Sequence, residues 1–261
     1  MTATITERVR SRDGTVIAFE RVGTGPAVIL VDAAMCFRKF GPMRALAAAL
    51  APRFTVFTYD RRGRGESTDT PPYAVQREVE DLGALIEAAG GSAFVHGFSS
   101  GAVLALHAAA NGLAIPKLSL LEPPLELDPQ AGADGDLGAE IAELVAANRR
   151  GDAVEHFNRS IGVPEEMIAG IKASPSWASL QALAHTLVYD TTITTSLPRA
   201  TVSRISVPTL VVTSEATDER LLAWARGIRD AMPDAEYRSL PGEWHGVSPD
   251  VLAPVLAEFL A

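Results

Sequence analysis

Cysteine is nearly absent, Cys36 being the only one. One thiol excludes an internal disulfide framework and a multi-cysteine zinc site, and it fits a reducing, cytoplasmic setting. Positive charge is in deficit, with 23 Lys and Arg against 32 Asp and Glu and a formal charge of −9. With no net positive field to draw phosphate, neither nucleic acid nor anionic membrane is an expected partner. Long apolar runs are missing as well. No run of roughly 18 apolar residues without charge occurs, so a membrane span is not expected. The opening Met1-Thr-Ala-Thr-Ile-Thr-Glu-Arg lacks the basic-then-apolar layout of a secretory leader. There is no internal repeat and no low-complexity tract. What is present is a chain of 261 residues, 47% apolar and 21% charged, able to bury one large core.

Short β-branched runs alternate with alanine-rich helical stretches. The runs predict strands at Ala3–Val9, Thr15–Arg21, Ala27–Asp32, Phe54–Tyr59, Ala93–Gly97, Lys117–Glu122, Thr209–Thr213 and Ala235–Leu240. Arg12-Asp13-Gly14 reads as a hairpin turn between the first two. The later strands are continuously apolar, as expected of a parallel sheet covered by helices on both faces. Helices are expected at Met43–Ala51, Tyr73–Ala89, Ser100–Asn111, Glu219–Ala231 and Pro249–Leu260. Between Pro123 and Pro208 no strand pattern occurs, only helical patterns around Leu137–Arg149, Asp152–Ile161, Glu165–Ala173 and Trp177–Leu187. A Thr/Ser/Pro-rich run, Thr191–Ser206, closes this stretch. The expected division is a core of residues 1–124 and 205–261 with a helical lid of residues 125–204 over the sheet's carboxyl edge, where open α/β sheets place ligands.

The strongest local signal is Gly97-Phe98-Ser99-Ser100-Gly101, a G-x-S-x-G pattern with an apolar strand before it and an alanine-rich helix after it. That context suits a serine on a sharp turn, with glycines where strand and helix backbones crowd together. With these residues the chain resembles the α/β-hydrolase superfamily over nearly all its length. Asp60-Arg61-Arg62-Gly63-Arg64-Gly65-Glu66-Ser67 looks like that family's D-x-R-G-x-G-x-S loop, Pro208-Thr-Leu-Val-Val like its penultimate strand, and Gly242-Glu-Trp-His245 like its histidine loop. The resemblance implies an eight-stranded, mostly parallel sheet with a helical lid. The arginine-rich loop itself reads as solvated turn structure rather than a phosphate site. Gly63-x-Gly65 lacks the third glycine of a dinucleotide loop.

A serine hydroxyl needs a base to take its proton. Of five histidines only His245 falls in the loop where the family carries its base. The acid departs from the usual pattern, since Thr217 stands where the family's aspartate is expected. Two carboxylates compete: Asp218, one residue late, and Glu122, which ends an apolar strand. Burying a lone carboxylate is costly unless it is paired, which favours Glu122. Some α/β-hydrolases, including zearalenone-type lactonases, carry their acid at that place. Chain order does not separate the two. By family position Ala34 and Ser100 supply the oxyanion N–H donors, while Asp32 occupies the slot of the family's histidine and is expected to hold the loop through local backbone. Cys36 reads as a small hydrophobe rather than a nucleophile. His185 reads as a packing or capping residue or one facing the pocket, and Asp32, Met35, Trp177, His185 and Tyr189 are pocket candidates.

The expected activity is hydrolysis of a carboxylic ester or lactone through an acyl-enzyme at Ser99, with His245 as base and Glu122 as acid. The same triad serves carbon–carbon bond hydrolases and thioesterases. A non-catalytic binder of small ligands is the reading from a different class, motivated by the missing aspartate and the missing His-Gly of the oxyanion loop. No cofactor and no metal are expected. The expected partner is a small apolar or aromatic ester or lactone, and the oligomeric state is open, a homodimer included.

Overall fold

The computed structural model describes residues 5–128 and 136–261. Eight strands form one sheet: β1 (Glu7–Arg10), β2 (Val16–Val22), β3 (Ala27–Val31), β4 (Thr55–Tyr59), β5 (Phe94–Phe98), β6 (Leu118–Leu121), β7 (Thr209–Ser214) and β8 (Ala235–Leu240). Their order across the sheet is β1-β2-β4-β3-β5-β6-β7-β8. β1 pairs antiparallel with β2, β2 antiparallel with β4, and every later pairing is parallel. At the hairpin, Asp13 Oδ1 accepts a hydrogen bond from the Thr15 N–H at 3.0 Å. The eight expected strands are all present. The first starts at Glu7 rather than Ala3; residues 1–4 lie outside the described part, and Ile5 and Thr6 are not in a strand.

The helices are α1 (Met43–Leu50), α2 (Val75–Ala88), α3 (Ser100–Ala110), α4 (Leu137–Ala146), α5 (Arg150–Ser160), α6 (Glu165–Ala173), α7 (Trp177–Ala182), α8 (Thr186–Thr195), α9 (Arg199–Val202), α10 (Glu219–Ala231) and α11 (Pro249–Leu260). Strand side chains alternate between the two sheet faces. Ile29 and Val31 pack with Leu82 and Leu85 of α2 and Val103 of α3. Val28 and Leu30 face the other way, onto Leu46 and Leu50 of α1 and Leu256 of α11. This is the α/β-hydrolase fold, with a smaller cluster of its own (Ile141, Val154, Phe157, Leu180, Leu187) in the helical insertion. Among the described residues no helix is long and apolar enough to cross a membrane.

One segment differs from the sequence expectation. The helix expected at Trp177–Leu187 ends at Ala182, and a new one, α8, runs through the threonine-rich stretch to Thr195. β-branched residues are poor helix formers. Here Thr191 and Thr192 hydroxyls both donate to the Val188 carbonyl, and Thr195 to that of Thr191. Burial of Leu187, Asp190 and Ile193 supplies the tertiary stabilisation that propensity lacks. Beyond α8, Leu197, Val202 and Ile205 pack in the main core together with Ile193.

Candidate active site

The end of β5 and the start of α3 force a turn at Ser99, whose φ of 53° and ψ of −126° lie in a region L-residues rarely occupy. The flanking glycines make the turn possible. A Cβ on Gly97 would sit 2.5 Å from Ala102 Cα, and one on Gly101 would sit 2.4 Å from the Val31 carbonyl oxygen. The Ser99 side chain therefore stands clear of the sheet's carboxyl edge. His245 Nε2 lies 2.9 Å from Ser99 Oγ. Its other ring nitrogen, Nδ1, lies 2.7 Å from Glu122 Oε2. Glu122 directly follows β6 at φ 45° and His245 lies in the loop after β8 at φ 54°, so all three residues hold a positive φ in turns beyond the strands.

Glu122 is fully buried. Its second oxygen, Oε1, accepts the Ser214 N–H at 2.8 Å, which fixes the carboxylate across β6 and β7. Burial alone would raise its pKa, but the hydrogen bonds from His245 and Ser214 outweigh that, and it lies below the usual glutamate range. Asp218, the competing acid, caps α10 instead. Its Oδ1 accepts the Leu221 N–H at 2.8 Å and its Oδ2 lies 3.3 Å from Trp244 Nε1. His245 therefore meets Glu122, and Asp218 is engaged elsewhere. The ring of His245 is held between Phe98 and Trp244, with centroids 4.9 and 5.5 Å away.

A cavity of about 440 Å³ opens over Ser99 and His245. Ala34, Met35, Cys36 and Ser100 line its floor, and Phe98, Phe157, Trp224 and Trp244 contribute aromatic walls. Ser100 is the first residue of α3, so its N–H has no partner within the helix. The Ala34 N–H makes no hydrogen bond among the described residues. Two backbone donors are thus free beside the serine.

Several expected pocket residues are placed elsewhere. Asp32 is buried beneath the loop, where its Oδ1 accepts the Ala33 N–H at 3.0 Å, and burial raises its carboxyl to about 7 against the pull of that bond and of Arg64. Trp177 packs inside the helical insertion. Tyr189 stacks on Tyr73 at 3.8 Å between centroids and donates to Asp69. His185 sits edge-on to Tyr189, its Nε2 3.8 Å from Asp69. None of these four lines the cavity: Asp32 is held within its own loop, Trp177 within the insertion, and Tyr189 and His185 in contacts that dock the insertion on the core. Met35 does line it. Burial, with Asp32 beside it, pushes the Cys36 thiol well up, so it stays protonated.

The arginine-rich loop is the largest departure. Arg61, Arg62 and Arg64 are each at most 1% exposed, not solvated. Arg62 forks onto Asp81 at 2.8 and 2.9 Å and reaches Asp13 at 2.9 Å. Arg61 pairs with Glu78 and, through Nη1, with Asp190 Oδ1 at 2.8 Å. Arg64 Nη2 bridges both Asp190 oxygens at 2.7 and 2.9 Å. Buried charges survive only when matched, and here Glu78 and Asp81 of α2 and Asp190 of α8 match them. Sequence reasoning did not give Asp190 this role. The signal was its place in the stripe Leu187, Asp190, Thr191, Ile193, a carboxylate on the inward face of a helix. Among the described residues no cluster of three or more His, Cys, Asp or Glu could hold a metal.

A serine hydrogen-bonded to a histidine, a buried carboxylate behind that histidine and two free N–H groups under one cavity form an arrangement able to carry acyl transfer. Residues 23–255 match the model of the alpha/beta hydrolase family, and the chain belongs to that family. It is 47% identical to an alpha/beta hydrolase from Sphaerobacter thermophilus DSM 20745, covering 98% of this chain and 100% of that one, with a TM-score of 0.90. More distant likenesses show the fold alone. An esterase from Rhodococcus sp. ECU1013 is 17% identical over 98% of both chains (TM-score 0.70). An enol-lactonase from Burkholderia xenovorans LB400 is 19% identical over 97% of this chain and 99% of that one (TM-score 0.68).

Proposed function

We propose that this hydrolase cleaves a carboxylic ester or lactone through an acyl-enzyme at Ser99. The observation that carries the reading is the relay Ser99 Oγ–His245 Nε2–Nδ1–Glu122 Oε2, with links of 2.9 and 2.7 Å, opening into an apolar cavity. Ser99 Oγ attacks the carbonyl carbon as His245 Nε2 takes its proton. Glu122 accepts the Nδ1–H, holds that tautomer and stabilises the imidazolium. The oxyanion is received by the N–H groups of Ala34 and Ser100. His245 then gives its proton to the departing alkoxide. A water, deprotonated by the same ring, attacks the acyl carbon and frees Ser99. In a lactone the departing alkoxide is part of the acyl chain, so the second step releases a single hydroxy acid.

Trp224, Trp244, Phe98 and Phe157 in a cavity of about 440 Å³ favour an apolar or aromatic substrate of small-ligand size. Lactone cleavage, the activity of the lactonases that the Glu122 position resembles, falls within this reading. The test is labelling by a fluorophosphonate probe together with hydrolysis of p-nitrophenyl esters and aryl lactones. Ser99→Ala should abolish labelling and lower ester turnover by at least ~10³-fold while the fold is kept. Activity within a few-fold of wild type in Ser99→Ala removes the serine from the reaction. A wild type that labels but cleaves neither esters nor lactones assigns the triad to another bond.

A further inference from the structure

The buried arginines hydrogen-bond the two segments that carry the free N–H groups, at the Asp32 and Ala33 carbonyls and at the Ser100 hydroxyl. Arg64 Nη1 donates to the Ala33 carbonyl oxygen at 2.6 Å. That oxygen and the Ala34 N–H belong to one peptide unit, and in a trans peptide the two point in opposite directions. With the oxygen held by Arg64, and more loosely by the Cys36 N–H at 3.3 Å, the Ala34 N–H is set on the opposite side of the peptide, and Ala34 lines the cavity together with Ser99. Arg61 Nη1 holds the preceding carbonyl, that of Asp32, at 3.3 Å. The next residue, Met35, has φ 60°, so the loop does not relax into ordinary backbone after the gripped peptide.

Asp190 completes the arrangement. Besides receiving Arg64 Nη2 on both oxygens, it accepts the Ser100 hydroxyl on Oδ1 at 2.7 Å. One carboxylate on α8 thus anchors the residue bearing one donor and the arginine that orients the other. Its three partners leave it fully paired inside the protein, although it is 1% exposed.

We infer that Arg64, held by Asp190, is a positioning residue for the oxyanion site: it aims and polarises the Ala33–Ala34 peptide so that the Ala34 N–H meets the charge developing on the substrate carbonyl. This rests on the serine-hydrolase reading and extends it. A guanidinium charge at the carbonyl end of a peptide draws electron density away from its N–H, strengthening the donor before any substrate arrives. Such preorganised donors act on the transition state rather than on the bound substrate. The helical insertion, through Asp190, thereby reaches the chemistry without lending a side chain to the reacting atoms.

The experiment uses the full chain with Arg64→Met, Arg64→Lys and Asp190→Asn, each titrated for active sites by a fluorophosphonate. Measured on p-nitrophenyl butyrate, Arg64→Met should lower kcat per titrated site by ~10²-fold with KM within about twofold, near the loss expected for one oxyanion donor. Arg64→Lys, which keeps the charge opposite Asp190 but has one nitrogen in place of the two that reach Asp190 and the Ala33 carbonyl, should recover part of that loss and carries the test if Arg64→Met does not fold. Asp190→Asn should lower kcat in the same direction. The affinity of phenylboronic acid, whose tetrahedral adduct places an oxygen at the donors, should fall by the same factor as kcat. A purely structural role would reduce the fraction of titratable sites and leave both quantities per site unchanged, and that result overturns the inference. A wild type that does not label overturns the serine-hydrolase reading and the inference with it. A labelling wild type whose Arg64 variants keep kcat overturns the inference alone.

Discussion

Glu122→Gln is the most informative single change, because both carboxylate oxygens have an assigned donor. Oε2 accepts from His245 Nδ1 at 2.7 Å and Oε1 from the Ser214 N–H at 2.8 Å. An amide has only one acceptor oxygen, so neither orientation satisfies both. If that oxygen keeps Ser214, the NH₂ group donates to Nδ1, moves the ring proton to Nε2 and leaves no base facing Ser99. If it keeps His245, two N–H donors face each other in a fully buried site. Either way the charge that stabilises imidazolium is gone. Two unit charges about 4 Å apart at an effective dielectric near 20 attract by about 4 kcal/mol. At about 1.4 kcal/mol per tenfold in rate, that corresponds to roughly 10³ in turnover, rising toward ~10⁴ if the wrong tautomer dominates. The assay is stopped-flow acylation with p-nitrophenyl acetate, which reads the step that the base assists. Asp218→Asn is the control. Its carboxylate caps α10 by accepting from the Leu221 N–H, so the change should cost up to about 1 kcal/mol of stability and leave acylation near wild type. Severe impairment of Asp218→Asn with Glu122→Gln close to wild type would refute the assignment of the acid.

Two further outcomes test the core. Replacing residues 125–203 by a short linker should leave no cooperatively folding sheet, because Arg61 and Arg64 lose Asp190 while Ile193 and Leu197 leave the core. Breaking a buried pair costs about 3–5 kcal/mol, a large share of a domain's roughly 5–15; a cooperative thermal transition in the truncated chain would contradict this. His96 is buried with Nδ1 3.1 Å from Ser119 Oγ, and burial pushes its pKa from 6.5 down to about 3. The unfolded chain takes up that proton below 6.5 and the folded one only near 3, so this residue's contribution to stability is lost as pH falls through that window. Between pH 7 and 5, His96→Leu should lose roughly 2 kcal/mol less than wild type in urea denaturation. Asp32, raised to about 7, acts with the opposite sign but equally in both proteins, so it cancels in the comparison. Parallel losses would contradict the burial argument.

Local pattern was sufficient for the strands, the strained turn at Ser99 and the loop that carries His245. An apolar run bounded by Gly and Pro predicts a strand from its own residues, and Gly97-x-Ser99-x-Gly101 states its steric need within five positions. Helix α8 was not legible in that way, because threonine propensity argues against it and only packing of Leu187 and Ile193 on the rest of the molecule argues for it. The arginine loop misled for a related reason. Three arginines within four residues suggest solvent, and their counter-charges lie 17, 19 and 126 residues away, at Glu78, Asp81 and Asp190. The choice between Glu122 and Asp218 also lay beyond local pattern. Both are carboxylates at the end of a strand or the start of a helix, and the outcome turns on which one meets a ring placed by β8 and α11. The residues and their chemistry come from the sequence alone. Which of them share a hydrogen bond depends on distances between segments far apart in the chain, and those exist only once the sheet has formed and the insertion has docked on it.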